Sequence, residues 1–116
     1  IHMFWQAGFA CIRVAGSGSS RYPCPDIIAS NGRKRFSIEC KTSKEPYKYV
    51  SKEDVSSLVA FSTLDGSEPV IGLRFDREGW FFLRVSNLKS RGKHFKISLE
   101  FVKKEGKTFE QLVKDR

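Results

Sequence analysis

Hydrophobic residues recur along this chain with two periods, and the switches between them mark out its elements. The opening IHMFWQAGF sets Ile1, Phe4, Trp5 and Gly8 at helical spacing, predicting a short helix closed by Gly8. FACIRVA (9–15) alternates and predicts a strand, and GSGSSRYPCP (16–25) is too rich in Gly, Ser and Pro to be anything but a loop. DIIAS (26–30) and RFSIECK (35–41) predict two strands paired as a hairpin around Asn31-Gly32. TSKEPYKYV reads as a polar connection.

Ser51 then opens a helix through a capping-box pattern, SKED, with Asp54 in the place of the usual Glu. Val55, Leu58, Val59 and Ser62 share one face, and Leu64-Asp65-Gly66 ends it. PVIGLRF (69–75) and WFFLRV (80–85) flank the turn DREG and predict a second hairpin. HFKISLEF (94–101) alternates throughout, predicting a strand with Phe95, Ile97, Leu99 and Phe101 on one side. Thr108 and Gln111 form another capping box, before a short terminal helix. The order predicts an α/β fold, a central mixed β-sheet flanked by α-helices, in a single domain spanning residues 1–116.

Composition narrows the class. The chain has 116 residues, 40% hydrophobic and 13% aromatic, enough to build a core without disulfide or metal staples. Cys11, Cys24 and Cys40 are odd in number and lack metal-ligand spacing, which predicts free thiols and a reducing cytoplasm. No apolar run is long enough to cross a bilayer, so no membrane partner is expected. A formal net charge of +8 favours a polyanion, with nucleic acid ahead of lipid because no basic amphipathic helix is visible. The first helix begins without an initiator methionine, so it is expected to extend upstream of Ile1.

The candidate chemistry sits in PDIIASNGRKRFSIECK (25–41). Glu39 and Lys41 are two apart on a predicted strand and share a face, while Cys40 points to the other. Asp26 opens the partner strand of the hairpin and can approach Glu39. Two converging carboxylates suit Mg²⁺, which prefers oxygen ligands and retains water. A cation there would polarise a phosphodiester, and Lys41 could neutralise charge developing on the phosphate.

Pro25-Asp26 followed by Glu39-Cys40-Lys41 resembles the PD-(D/E)xK nuclease signature, spread over a hairpin. The resemblance is narrower than that superfamily. GFACIRVAGSGSSRYPCPDIIA, RFSIECKTSK, YKYVSKEDVSSLVAF and EPVIGLRFDREGWFFLRV, in that order, resemble the archaeal Holliday junction resolvase family over residues 8 to about 85. The resemblance implies a restriction-endonuclease-like fold and a homodimer that resolves four-way DNA junctions by metal-dependent hydrolysis, through paired nicks near the branch point. It implies catalytic roles for Asp26, Glu39, Lys41 and Ser17, with Mg²⁺, replaceable by Mn²⁺, held by Asp26, Glu39 and the main-chain carbonyl of Cys40. Arg13 matches an arginine just before the serine loop. The family also uses a glutamate in its first helix, about one turn before the position of Ile1.

Arg13, Ser19, Arg21, Arg33, Lys34, Lys44, Lys48 and Lys52 lie in or beside loops flanking the expected metal site and are candidate DNA contacts. Phe61, Leu64, Phe75, Trp80 and Phe82 form the candidate dimer interface, since one core is not expected to bury every large apolar side chain. Replication or repair proteins are further candidate partners. Two other readings share the acids: a different PD-(D/E)xK nuclease, or a non-catalytic junction-binding module. An RNA-binding protein would explain the charge and leave the acids without a role.

Overall fold

The computed structural model describes residues 1–15, 22–88 and 93–114. In chain order the elements are α1 (His2–Gln6), β1 (Ala10–Arg13), β2 (Ile27–Ser30), β3 (Arg35–Ser43), β4 (Tyr47–Ser51), α2 (Lys52–Asp65), β5 (Glu68–Phe75), β6 (Gly79–Arg84), β7 (His94–Ser98), α3 (Leu99–Glu105) and α4 (Phe109–Lys114). A mixed five-stranded sheet of order β1-β2-β3-β5-β6 forms the centre, and β4 pairs with β7 in a separate two-stranded ribbon. β3 and β5 are parallel, so the chain must cross over between them, and α2 lies on that crossover. The other pairs in the sheet are antiparallel.

Local chemistry sets the limits of α2. Ser51 Oγ accepts from Asp54 N at 3.1 Å, and Gly66 closes the helix in the left-handed conformation at φ +75°. Ser62 lies on the buried face and is satisfied by donating to Leu58 O at 2.8 Å. The capping box before α4 is complete: Thr108 N donates to Gln111 Oε1 at 2.9 Å and Gln111 N to Thr108 Oγ1 at 3.2 Å.

Two segments differ from the sequence reading. The stretch taken as a polar connection contains the end of β3 and all of β4 but its last residue, Ser51; in it Tyr49 pairs with Lys96. Its polarity hid an alternation: Val50 is buried, while Tyr49 is exposed. HFKISLEF is a strand only as far as Ser98. There Ser98 Oγ accepts from Phe101 N at 3.0 Å and starts α3, whose inward residue is Val102. A cap can end a strand whose apolar alternation continues beyond it.

Both faces of the sheet are covered, giving two cores. One gathers Val50, Val55, Leu58, Ile71, Leu73, Phe75 and Leu83 beneath α2. The other is aromatic: Phe4, Phe9, Phe36 and Phe82 pack with Phe109, with the Phe4 and Phe109 rings 4.9 Å apart and edge-on. This corrects the interface reading. Phe75 and Phe82 are buried within the single chain, one in each core, because a sheet covered twice has room for both sets. Trp80 is half-buried and stacks on Phe82, on the face opposite α2. Of the candidates on α2, Phe61 is half-buried and Leu64 is 91% exposed.

Candidate active site

The β2–β3 hairpin builds the site. Its turn occupies four residues: Asn31 Oδ1 accepts from Arg33 N at 2.9 Å and Lys34 N at 2.7 Å, and Gly32 takes φ +90°. That turn fixes the register Ile27↔Ile38, which carries Asp26 opposite Glu39. Asp26 lies just before β2, held on both sides: its N–H donates to Ile38 O at 3.0 Å and its carbonyl accepts from Val14 N at 2.9 Å. Its Oδ2 accepts from Cys40 N at 2.8 Å.

The Asp26 and Glu39 carboxyls are also hydrogen-bonded to each other. Burial, then that bond and the charge of Asp26, push the Glu39 carboxyl up to about 8, although Lys41 pulls the other way. Near neutral pH the pair therefore holds a proton between two acids. Cys40 faces the aromatic core, and burial raises its thiol to about 11, leaving it a packing residue rather than a nucleophile. A cavity of about 300 Å³ lined by Arg13, Val14, Asp26, Ile27, Cys40 and Trp80 opens beside Asp26.

Lys41 Nζ donates to Asp54 Oδ2 at 2.8 Å. Burial lowers the affinity of this amine for its proton, but the bond and charge of Asp54, with Glu39 and Asp26, outweigh burial and hold it above its ordinary value. Lys41 is therefore a cation beside three acids. Asp54 is the residue that sequence reasoning missed as part of the site. It was legible only as a capping residue, and its carboxylate in fact reaches across to β3.

The hairpin thus brings Asp26, Glu39 and Cys40 together, with Lys41 alongside. Among the described residues no three His, Cys, Asp or Glu side chains converge as a ready-made metal cage. Arg13, at the end of β1, joins Asp26 in the cavity, and Lys44 lies just past β3 in a polar concavity with Thr42, Ser43, Arg74 and Asp76. Lys52 opens α2, two residues before Asp54, and Lys48 lies on β4, whose start is tied to β3 by Ser43 Oγ donating to Tyr47 O at 2.6 Å. Arg33 and Lys34 belong to the far turn, about 16–20 Å along the strand from Glu39 at the usual rise. Lys34 donates to Val113 O of α4 at 3.1 Å and is engaged in the fold. Ser17, Ser19 and Arg21 lie outside the described residues.

Known proteins resemble this chain in both sequence and fold. The family model described as "Archaeal holliday junction resolvase (hjc)" matches residues 1–116. The crossover junction endodeoxyribonuclease Hjc of Archaeoglobus fulgidus is 44% identical over 114 residues, covering 92% of this chain and 84% of that protein. Its counterpart from Methanocaldococcus jannaschii is 36% identical over 92 residues, covering 79% and 65%. The 1.6 Å structure of the A. fulgidus protein, a Holliday junction resolvase, superposes with a TM-score of 0.91 at 41% identity, covering 97% of this chain and 91% of that one. A mixed sheet with a carboxylate pair on its hairpin, a match along the whole chain and a shared fold lead to one conclusion: the chain belongs to the archaeal Holliday junction resolvase family.

Proposed function

We propose that this protein is a structure-selective endonuclease that cuts four-way DNA junctions by metal-dependent hydrolysis, with paired nicks near the branch point. The observation that carries the reading is the Asp26–Glu39 pair, two carboxyls set opposite each other by the hairpin register, with Asp26 Oδ2 accepting from Cys40 N at 2.8 Å. A divalent cation is the natural counter-charge for this pair, because it offsets the burial and the neighbouring carboxyl that together raise Glu39. Two carboxylates fit Mg²⁺, which prefers oxygen ligands and keeps much of its water; Mn²⁺ would suit the same donors. The main-chain carbonyl of Cys40, between Glu39 and Lys41, is the proposed additional donor.

When bound, the cation supplies Lewis acidity toward the phosphodiester and the attacking water. Asp26 and Glu39 hold it, pinned by the hairpin register and the Cys40 N–H. Lys41, kept protonated, neutralises charge that develops on the phosphate. Arg13, Lys44, Lys48 and Lys52 contact phosphates of the junction arms, which makes affinity strongly salt-dependent. Ser17 joins the catalytic set and Ser19 and Arg21 the DNA contacts, by the family resemblance alone. A homodimer supplies two such sites for two opposed strands, and the exposed Leu64 with its neighbour Phe61 supports placing its interface on α2. The odd number of cysteines, with Cys11 and Cys40 packed into the aromatic core, supports a reducing cytoplasm as the setting.

The test compares a synthetic four-way junction with a linear duplex of the same arms in Mg²⁺. Paired nicks near the branch, with the duplex intact, are expected. Tight junction binding without nicks would contradict a catalytic role for the acids, and equal cutting of the duplex would contradict structure selectivity.

A further inference from the structure

Lys41 is assigned above to the transferring phosphate, yet a lysine has a long stem with many rotamers and does not stay in one place unaided. Its ammonium is held here by Asp54, at 2.8 Å. Asp54 has a fixed mount. It is the third residue of α2, and its own N–H is held by the Ser51 hydroxyl at 3.1 Å. In a complete capping box the acid at this position folds back over the cap; aspartate is a methylene short of the usual glutamate, and its carboxylate goes to Lys41 instead. A first-turn carboxylate is also favoured by the helix dipole.

We propose that Asp54 is a positioning residue: it anchors the Lys41 ammonium on the strand face shared with Glu39, and so sets the rate of strand cutting rather than the affinity for the junction. This rests on the nuclease reading above. Two observations set the pair apart from an ordinary surface ion pair. The Lys41 side chain is only 24% exposed, and the other anions that act on it are Glu39 and Asp26, the acids assigned to the cation. Without Asp54, those two become its remaining anionic neighbours, and a released Lys41 moves onto the groups that must hold the metal. Asp54 serves as a counter-ion that keeps the lysine available and out of the metal site. Among the described residues no third His, Cys, Asp or Glu side chain converges on Asp26 and Glu39, and the Asp54 carboxylate is bonded to Lys41, so Asp54 acts through Lys41 rather than as a further metal ligand.

The experiment measures single-turnover cleavage of a four-way junction in Mg²⁺ at saturating enzyme, for wild type, Asp54→Asn, Asp54→Glu and Lys41→Ala. Junction affinity without divalent metal and the melting midpoint are measured on the same proteins. Asp54→Asn keeps the backbone bond to Ser51 and is expected to lose cleavage about 10- to 100-fold, the usual cost of removing a supporting group. Its junction affinity stays that of wild type, its midpoint falls by about 5 °C or less, and Asp54→Glu recovers most of the lost rate. Wild-type cutting by Asp54→Asn, with Lys41→Ala inactive, would overturn the inference and leave the nuclease reading standing. Absence of cutting by wild type would overturn both. A readout independent of activity is the ¹⁵N signal of the Lys41 ammonium: a slowly exchanging resonance in wild type that Asp54→Asn abolishes supports the anchor. Its absence from wild type would overturn the anchor whatever the variants do.

Discussion

Strand β3 and helix α2 are joined by an ion pair at each end, and the two pairs differ in what surrounds them. At the start of the strand Arg35 meets Asp65 with two bonds, Nε to Oδ2 at 2.8 Å and Nη2 to Oδ1 at 3.0 Å. There one cation answers one anion: Arg35 is raised, Asp65 is lowered, and each settles its partner. Six residues further along β3, Lys41 meets Asp54 with a single bond while Glu39 and Asp26 stand by. One cation faces three acids, and burial first, with the neighbouring acids adding to it, pushes the Glu39 carboxyl up to about 8. A balanced pair fastens a helix to a sheet; an unbalanced cluster has room for a cation the chain does not itself provide.

Replacing the acids should separate the two ends most sharply. Asp26→Asn or Glu39→Gln should lower junction cleavage by about 10²- to 10⁴-fold, the several kcal/mol a catalytic cation provides, with junction binding retained. Comparable cutting by either variant in a gel assay would break the comparison.

Acidity comes next. The raised Glu39 value means that the metal-free folded protein holds a proton there that the unfolded chain releases at the ordinary value of 4.5. That contribution is fully in place below about 4.5 and is lost as pH rises toward about 8. Glu39→Gln should therefore gain on wild type across this window by on the order of 1–3 kcal/mol, discounting for solvent screening. Denaturant melts at pH 5 and pH 8.5 measure it. Asp65 has the opposite sign: its lowered value gives stability present above its ordinary 3.8 and lost as pH falls through the folded value.

Removing the cap of α2 should cost less and touch both stability and activity. Ser51→Ala is expected to cost about 1 kcal/mol and also to slow cleavage, because the Ser51 hydroxyl holds the backbone of Asp54. Asp65→Ala should be smallest, at about 1 kcal/mol or less, with the cleavage rate unchanged. Slower cleavage by Asp65→Ala would show that the balanced pair is not merely a fastening.

Much of the site could be read from the chain because its geometry is local. Period-two spacing put Glu39 and Lys41 on one face, and a turn at Asn31-Gly32 sufficed to bring Asp26 opposite Glu39. Asp54 could not be assigned this way, since only the packing of α2 across β3 reveals where its carboxylate goes. The same limit misplaced Arg33 and Lys34: closeness in sequence to the hairpin hid their position at its far end. In the fold, β4 was concealed by its polar composition and α3 by an alternation that continued past the Ser98 cap. Phe75 and Phe82 looked surplus to one core because the sequence does not display that both faces of the sheet are covered.

The most direct test of the central claim is the titration of the Glu39 side-chain carboxyl, followed by ¹³C NMR on glutamate-labelled protein with and without Mg²⁺. The account predicts a midpoint near 8 in metal-free protein, falling well below that value when Mg²⁺ replaces the shared proton. A midpoint that Mg²⁺ leaves unmoved, or one in the ordinary glutamate range under both conditions, would contradict it.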